Sequence, residues 1–314
     1  MMPESTPQKG ERATYSSILK EHDVESGQRE MRRRLLAKLS SDEFNDGPGP
    51  HGVVAHLSAW AALSGDDIPI LIDALLGIGD VQTLNLILES PGGDGSQVTK
   101  FVDLCRNQCQ RFRVIVPHEA KSAATLISLG ADEIIMGPSS ELGPIDAQIP
   151  AVVEGLRRFI SAQSFIDARD ELLRCYDERK AKKEPVEPIL QLLTTLDLPF
   201  IVECERSMEL GREIGKRLLC EYMFLGKKRK ANKAEALVAE LSSVKRFKLH
   251  VAGIKGSMAK DLGLKVRLCG HDFDLWKTVW EYYTRAQLAL RRGGGLKMFE
   301  TTHDVFFAQV VAND

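Results

Sequence analysis

The stretch that decides the fold runs from residue 84 to residue 148. It opens with LNLILESPGGDGSQ at residues 84–97 and closes with FRVIVPHEAKSAATLISLGADEIIMGPSSELGPIDAQ at residues 112–148. Near-continuous apolar runs that end in turn signals are typical of strands covered on both faces. Strands that alternate with helical patterns indicate a parallel sheet. We therefore predict an α/β fold with strands at Thr83–Glu89, Phe112–Val116 and Glu133–Met136 and helices at Gln97–Gln108 and Ser122–Gly130.

Ser122 and the Gly92-Gly93 pair follow neighbouring predicted strands, and their chemistry suits acyl transfer. A serine hydroxyl is a poor nucleophile unless a base removes its proton and N–H donors hold the oxyanion that forms. Ala123 begins a helix of small residues, and a glycine turn can present a second N–H at close range. The carboxyl ends of parallel strands share one edge of a sheet, so these groups are expected to meet there. Each piece alone also has a structural interpretation, since Ser122 could cap its helix and the glycines could form an ordinary turn.

Four motifs carry a resemblance to a known family: SPGG at 90–93, KSAAT at 121–125, GADEIIM at 130–136 and LGPID at 142–146. They resemble the serine dehydrogenase proteinase family, one of the Clp-fold, crotonase-like serine peptidases, which is related to signal peptide peptidase A. The resemblance is dense over residues 84–148 and returns at 241–266. It implies a Clp/crotonase-like core of ββα repeats with a mostly parallel sheet. It also implies Ser122 as nucleophile and an oxyanion hole from Gly93 and Ala123, with Gly92 in the same turn.

The general base is the part of the site that the sequence leaves open. The nucleophile motif has Ala124 where the family usually has glycine, so a methyl group is added that could crowd the site or merely pack. Clp proteases carry a histidine where this chain has Asp146, which could orient a base or cap the next helix. The candidates for the base are His250, which matches a histidine of the family, then Lys121, His118 and the insertion lysines Lys180, Lys182 and Lys183. A site without a working base is a further alternative.

Changes in composition and in apolar spacing along the chain predict four parts. They are an N-terminal arm and linker at 1–50, a catalytic core at 51–150, a helical insertion at 151–235, and the remaining core with a terminal helix at 236–314. Apolar spacing predicts helices at 28–39, 68–76, 152–183, 188–196, 199–224 and 275–290. The last of these carries Trp276, Trp280 and Tyr283 on one face. With the N-terminal arm, it is the candidate surface for a subunit contact.

Composition argues against several classes of protein. A net charge of −2 over 314 residues gives no indication of a nucleic-acid partner or of an anionic membrane surface. The polar N-terminus does not resemble a signal peptide, and no apolar run reaches the roughly 18–20 residues of a membrane span. Six scattered cysteines and the absence of metal-ligand spacing indicate neither zinc nor disulfides. We expect a soluble cytoplasmic protein without a cofactor, and no P-loop that would bind ATP.

The sequence therefore predicts a serine peptidase that acylates Ser122 with a peptide or protein substrate and then hydrolyses the acyl-enzyme. Relatives of this fold form rings or stacks, so the resemblance implies a homo-oligomer. An ATP-dependent partner is suggested by analogy only. One alternative is a catalytically silent oligomeric module that keeps the fold and binds peptides or senses a partner. A second is an acyl-CoA enzyme of the crotonase type, against which the serine at the helix start argues.

Overall fold

The computed structural model describes residues 25–58, 61–153, 156–243, 253–293 and 295–309. Its centre is a seven-stranded sheet. The strands are β1 (His51–Ser58), β2 (Val81–Glu89), β3 (Cys109–Val116), β5 (Glu133–Met136), β10 (Val266–Leu268), β11 (Gly295–Glu300) and β12 (Val305–Gln309). Their order across the sheet is β10-β5-β3-β2-β1-β11-β12. The first five run parallel, whereas β11 and β12 are antiparallel to their neighbours.

Three short strands form a second sheet in the order β4-β6-β9, namely β4 (Glu119–Ala120), β6 (Glu141–Leu142) and β9 (Ile254–Lys255). Each of β3 and β5 is thus followed by a short strand of the second sheet before the chain turns back. In the first case the helix α4 (Ala123–Leu129) comes next. This succession of strand, strand and helix is the ββα unit that the family resemblance implies, and the predicted α/β fold with a mostly parallel sheet is confirmed.

Helices cover both faces of the large sheet, as the near-continuous apolar strands predict. The other helices are α1 (Glu25–Leu39), α2 (Asp67–Ile78), α3 (Val98–Asn107), α5 (Ala162–Lys182), α6 (Glu187–Leu193), α7 (Leu198–Leu218), α8 (Lys230–Leu241), α9 (Gly256–Asp261) and α10 (Asp274–Arg292). On β2, Leu86 and Leu88 point into a core shared with α2, α3 and α4. Between them, Ile87 points into a second core with α1 and α10. Successive side chains of a strand alternate in this way because the backbone is pleated.

The prediction of one long helix over residues 152–183 is wrong at its start. The chain first forms an antiparallel hairpin of β7 (Gln148–Val153) and β8 (Leu156–Ser161), and α5 begins only at Ala162. The hairpin sequence is rich in β-branched and aromatic residues, which favour a pleated surface over a helix. A helical block of α5 to α8 follows. Because α8 spans the expected boundary between residues 235 and 236, the division into four parts stays a prediction.

The aromatic terminal helix is confirmed, but its proposed role as a subunit contact is wrong for Trp276. This side chain is 1% exposed and packs on Gly137, which has no room for a Cβ there. The helix α10 also packs on α1 within the same chain, where Tyr282 donates a hydrogen bond to Glu300 at 2.9 Å and Arg32 pairs with that carboxylate at 3.0 Å. Of the helices that the structure describes, none is long and apolar enough to cross a membrane.

Candidate active site

Ser122 lies at the turn from β4 into α4, and its backbone is strained. Its φ of 49° and ψ of −113° form a combination that residues with side chains rarely adopt and that costs about 1–3 kcal/mol. A capping serine normally has an extended backbone and accepts a hydrogen bond from its helix, yet Ser122 makes no such side-chain bond. The capping interpretation that the sequence left open is therefore wrong. Strain at a serine between a strand and a helix is typical of a nucleophile elbow, which exposes the hydroxyl group.

The Gly92-Gly93 turn lies against Ser122, and only glycine fits at either position. A Cβ on Gly92 would lie 2.7 Å from the Cβ of Ser122 and 2.9 Å from the carbonyl oxygen of Lys121. A Cβ on Gly93 would overlap the backbone nitrogen and oxygen of Leu63. The two φ angles, 105° and 145°, are also strained for any residue with a side chain. The glycines thus allow the backbone of the turn to approach the serine closely.

Among the described residues, the N–H groups of Gly93 and Ala123 have no acceptor. Leu63 pairs with the turn as in a parallel sheet: its N–H donates to the carbonyl oxygen of Gly92 at 2.7 Å, and its carbonyl oxygen accepts from Asp94 N–H at 2.9 Å. Successive N–H groups of an extended chain point to opposite sides, so Gly93 N–H points away from Leu63. Within the described ranges, neither this N–H nor that of Ala123 has an acceptor. Two free donors beside a serine are what an oxyanion hole requires.

Three residues that hold this arrangement together were missed by the sequence analysis. The Ser90 hydroxyl accepts a hydrogen bond at 3.1 Å from Gly92 N–H in the turn. The Thr125 hydroxyl lies 2.7 Å from the carbonyl oxygen of Ala120 and accepts from Gly143 N–H at 3.0 Å, which ties α4 to both short strands. Ser90 and Thr125 belong to the motifs that carry the family resemblance, so a signal for them existed. The sequence contains no signal for Leu63, because only the fold brings this residue to the turn.

The side chain of Lys121 forms an ion pair with Glu141. Its Nζ donates to a carboxylate oxygen of Glu141 at 3.0 Å, and its aliphatic part packs on Gly143. The residue is buried, with 7% of its surface exposed. An ammonium group engaged with a carboxylate in this way is not available to accept the proton of a serine. The structure therefore argues against Lys121 as the general base.

His118 lies in a different cluster, at the carboxyl end of β3. Its Nδ1 lies 3.6 Å from Oε1 of Glu89, and its ring stacks on Tyr283 with 6.3 Å between the centroids. The neighbouring Glu89 carboxylate raises the pKa of His118 above its usual value. In the part of the chain that the structure describes, the Ser122 hydroxyl has no hydrogen-bond partner, so His118 is not within hydrogen-bond distance of the nucleophile.

The insertion lysines, Lys180, Lys182 and Lys183, are exposed at the far end of α5. At a rise of 1.5 Å per residue, Lys180 lies about 27 Å along the helix from Ala162. Ala162 is where α5 joins the core, since its N–H donates to the carbonyl oxygen of Ala147 at 2.8 Å. Within one chain these lysines are therefore remote from the core. Their supply by a neighbouring subunit stays a prediction.

The two departures from the family pattern have different consequences. Ala124 is buried in the main core, so its methyl group contributes to packing. Asp146 is also buried, and its Oδ2 accepts a hydrogen bond from Nε2 of Gln148 at 3.2 Å. The element that follows Asp146 is the strand β7, so the alternative that it caps a helix is wrong.

His250 lies outside the described residues, but the chain on either side of residues 244–252 is described and pairs with the segment that follows β4 and α4. On one side, the carbonyl oxygen of Leu241 accepts from Ile145 N–H at 3.1 Å. On the other, Ile254 pairs with Leu142 in the antiparallel contact of β9 with β6. Both ends are thus attached to the segment 142–145. The strand β6 pairs in turn with β4, which ends two residues before the serine.

Comparison with known families supports the resemblance seen in the sequence. Residues 62–195 match the family described as ClpP-like SDH-type serine proteinase. The family resemblance is therefore confirmed over this part of the chain, which contains the glycine turn, the strained serine and the start of the helical block.

Two similar proteins of Methanocaldococcus jannaschii are themselves uncharacterised. MJ0137 is 33% identical over 98 residues, which are 30% of this chain and 34% of that protein. MJ1495 is 38% identical over 130 residues, which are 38% of this chain and 44% of that protein. The chain thus spans less than half the length of either relative.

One similar solved structure is the ClpP protease catalytic domain of Plasmodium falciparum, which is 16% identical in sequence. The match covers 41% of this chain and 67% of that chain, and its TM-score is 0.23. Another is a mutant of the 1510-N membrane-bound stomatin-specific protease in complex with a substrate peptide, which is 13% identical in sequence. This match covers 74% of this chain and 96% of that chain, and its TM-score is 0.29. Neither likeness bears on the activity of this chain.

Proposed function

We propose, on the premise of the match to ClpP-like serine proteinases over residues 62–195, that this chain is a serine peptidase with Ser122 as its nucleophile. The observation that carries the proposal is the backbone of Ser122, held at φ 49° and ψ −113° without a capping bond. Such strain survives only where the surrounding structure maintains it, and it is found preferentially at functional sites. The N–H groups of Gly93 and Ala123 beside this serine, which have no acceptor in the described part of the chain, are further support.

The reaction that suits these groups is acyl transfer. The Ser122 hydroxyl oxygen attacks the carbonyl carbon of a peptide bond while a base removes its proton, and the N–H groups of Gly93 and Ala123 stabilise the oxyanion. When the tetrahedral intermediate collapses, the C–N bond breaks and the amine leaves with the proton from the base. Water then attacks the ester on Ser122 by the same route and releases the acid.

His250 is the base that we propose. It lies four residues before Ile254, and four residues of chain span at most about 14 Å. Ile254 pairs with the strand that lies beside β4, and this short separation in sequence from a strand near the nucleophile supports the proposal. A histidine has suitable basicity near neutral pH, and the other candidates either have partners of their own or lie at the far end of α5.

Labelling by a fluorophosphonate probe tests the nucleophile. Wild-type protein is expected to be labelled at Ser122, and Ser122→Ala is expected to lose the label entirely, because the strained serine beside the N–H groups of Gly93 and Ala123 is the nucleophile that we propose. Ser96→Ala is the matched control, since Ser96 is an exposed serine in the same glycine turn region; its labelling should equal that of the wild type. Mass spectrometry of the labelled peptide identifies the site.

Equal labelling of wild type and Ser122→Ala would remove Ser122 as the nucleophile. If the wild type were not labelled at all but still bound peptides, the second candidate function, a catalytically silent binding or sensor module, would be favoured. The observation on its side is that the Ser122 hydroxyl has no hydrogen-bond partner among the residues that the structure describes.

Replacement of the proposed base should slow acylation. His250→Ala is expected to lower the rate of probe labelling by roughly 100-fold or more, the usual contribution of a general base. His118→Ala serves as the control, because His118 contacts Glu89 and Tyr283 instead, and its rate should stay close to that of the wild type. A rate for His250→Ala that matched the wild type would exclude this histidine and direct attention to the lysines of a neighbouring subunit.

The proposal includes a peptide or protein substrate and self-association, which the resemblance to Clp-fold peptidases implies. An ATP-dependent partner stays an analogy. Since Trp276 is buried within the chain, this side chain is not available for an oligomer contact, whereas Trp280 and Tyr283 are only partly buried. The helical block offers a surface for such a contact, because it exposes several large apolar side chains, namely Leu173, Leu190, Leu192, Leu198, Val202 and Leu210.

A further inference from the structure

A buried ion pair lies beyond Leu63, the residue that pairs with the Gly92-Gly93 turn. Lys297 on β11 directs its Nζ to both carboxylate oxygens of Asp67, at 2.9 and 2.8 Å. Asp67 is the first residue of α2 and is 2% exposed, while Lys297 is 6% exposed. Two charges so far from water lose much of their hydration, and such a pair is often no more stabilising than apolar side chains of the same volume. Stability alone is therefore a weak reason for this pair.

The Asp67 carboxylate also holds the backbone next to Leu63. Its Oδ2 accepts a hydrogen bond from Ser64 N–H at 2.8 Å, and Lys297 Nζ lies 3.4 Å from the Ser64 hydroxyl. Leu63 in turn makes two backbone hydrogen bonds to the turn, one on each side of Gly93. Hydrogen bonds, together with the peptide link from Ser64 to Leu63, thus connect β11 to the turn that contains Gly93 N–H.

We propose that Asp67 and Lys297 are positioning residues that set the direction of Gly93 N–H, an inference that rests on the proposed function of Ser122. Lys297 donates to both oxygens of Asp67 and so fixes the rotation of the carboxylate. The carboxylate fixes Ser64, and the paired backbone of Leu63 fixes the turn. An oxyanion donor acts only when it lies about 2.7–3.1 Å from the oxyanion, so a small rotation of this turn has a large effect on rate.

A matched pair of double variants separates positioning from the presence of the charges. Asp67→Leu/Lys297→Met removes both charges and also the acceptor for Ser64 N–H. Asp67→Asn/Lys297→Met removes both charges but keeps a side-chain oxygen that can accept this N–H. Leucine, asparagine and aspartate have similar shapes, and neither variant leaves a buried charge without its partner. Asp67→Ala/Lys297→Met replaces the leucine variant if that one does not fold.

The direct readout is amide hydrogen exchange at Leu63 and Asp94, whose N–H groups form the two bonds between Leu63 and the turn. In the leucine variant, both amides are expected to exchange about 10-fold faster or more, because the local opening that exposes them becomes easier. The asparagine variant is expected to exchange at a rate between those of the leucine variant and the wild type, because its side-chain oxygen can accept Ser64 N–H but Lys297 no longer fixes its rotation. This measurement needs no catalytic activity.

The second readout is the kinetics of peptide hydrolysis. Because an oxyanion donor acts in the transition state, the leucine variant is expected to lose about 10-fold or more in kcat with little change in KM, and the asparagine variant to recover part of that loss. Equal exchange at Leu63 and Asp94 in both variants would overturn the proposal, as would a leucine variant with wild-type kcat. If exchange responds as expected but the wild type shows no turnover that depends on Ser122, the positioning of the turn stands and the proposed function fails.

Discussion

Replacing Gly92 with alanine is expected to lower kcat for peptide hydrolysis by about 100-fold. The added Cβ would lie 2.7 Å from the Cβ of Ser122 and 2.9 Å from the carbonyl oxygen of Lys121, closer than carbon and oxygen atoms can approach without a shift. Either the serine or the turn must move, and the distance between the nucleophile and the free N–H groups changes with it. The φ of 105° adds strain for alanine. Steady-state kinetics with a peptide substrate measure the loss.

Gly95→Ala is the control for this variant. Gly95 belongs to the same loop, its φ is not positive, and a Cβ there meets nothing within 4 Å. Its kcat should remain within about twofold of the wild type, as for an ordinary surface substitution. If Gly92→Ala and Gly95→Ala were equally active, the close approach of the turn to Ser122 would have no part in catalysis.

Much of the fold could be predicted because its signals are local. The helix expected at residues 68–76 is found at Asp67–Ile78, and the strand expected at Phe112–Val116 is found at Cys109–Val116. In both cases an apolar pattern lies between turn signals, so the element is defined by its own residues. The hairpin of β7 and β8 was missed because its apolar residues run directly into the helical pattern of α5, without a break that marks the change.

The candidate site could be predicted only in part. The motifs identified Ser122, Gly93 and Ala123, since each motif is a short stretch of adjacent residues. They did not identify Leu63, which is 30 positions from Gly93 in the sequence and meets it only through the parallel pairing. Nor could they reveal that Ser122 is strained: a serine at a helix start is usually a cap, and the difference lies in backbone angles that the neighbouring turn helps to impose.

Lys121 shows the same limit for side chains. From its position beside the nucleophile, its ammonium group could have pointed to the site or away from it. The direction is decided by Glu141, which the pairing of β4 with β6 brings alongside. A contact between residues 20 positions apart in separate short strands leaves no trace in the local pattern. The identity of the base was therefore the part of the prediction least determined by the sequence.

The free energy of unfolding is expected to fall by about 3 kcal/mol between pH 7 and pH 4 through His56 alone. Burial lowers the pKa of His56 to about 4, with Asp67 opposing the shift and Lys297 adding to it. The ring is packed between Phe101 and Phe299, and neither nitrogen has a hydrogen-bond partner among the described residues. The unfolded chain takes up this proton near pH 6.5, so between pH 6.5 and 4 it binds more protons than the folded protein and stability declines as the pH falls.

Urea unfolding of the wild type and His56→Leu at several pH values tests this expectation, because the acid-dependent part of the difference should vanish with the imidazole. His118→Gln provides a comparison of opposite sign. The neighbouring Glu89 carboxylate raises the pKa of His118, so the wild type should gain stability relative to this variant as the pH falls towards 6.5. A general effect of acid on the protein would move both differences alike. A constant difference between the wild type and His56→Leu from pH 7 to pH 4 would show that this buried histidine does not govern acid stability.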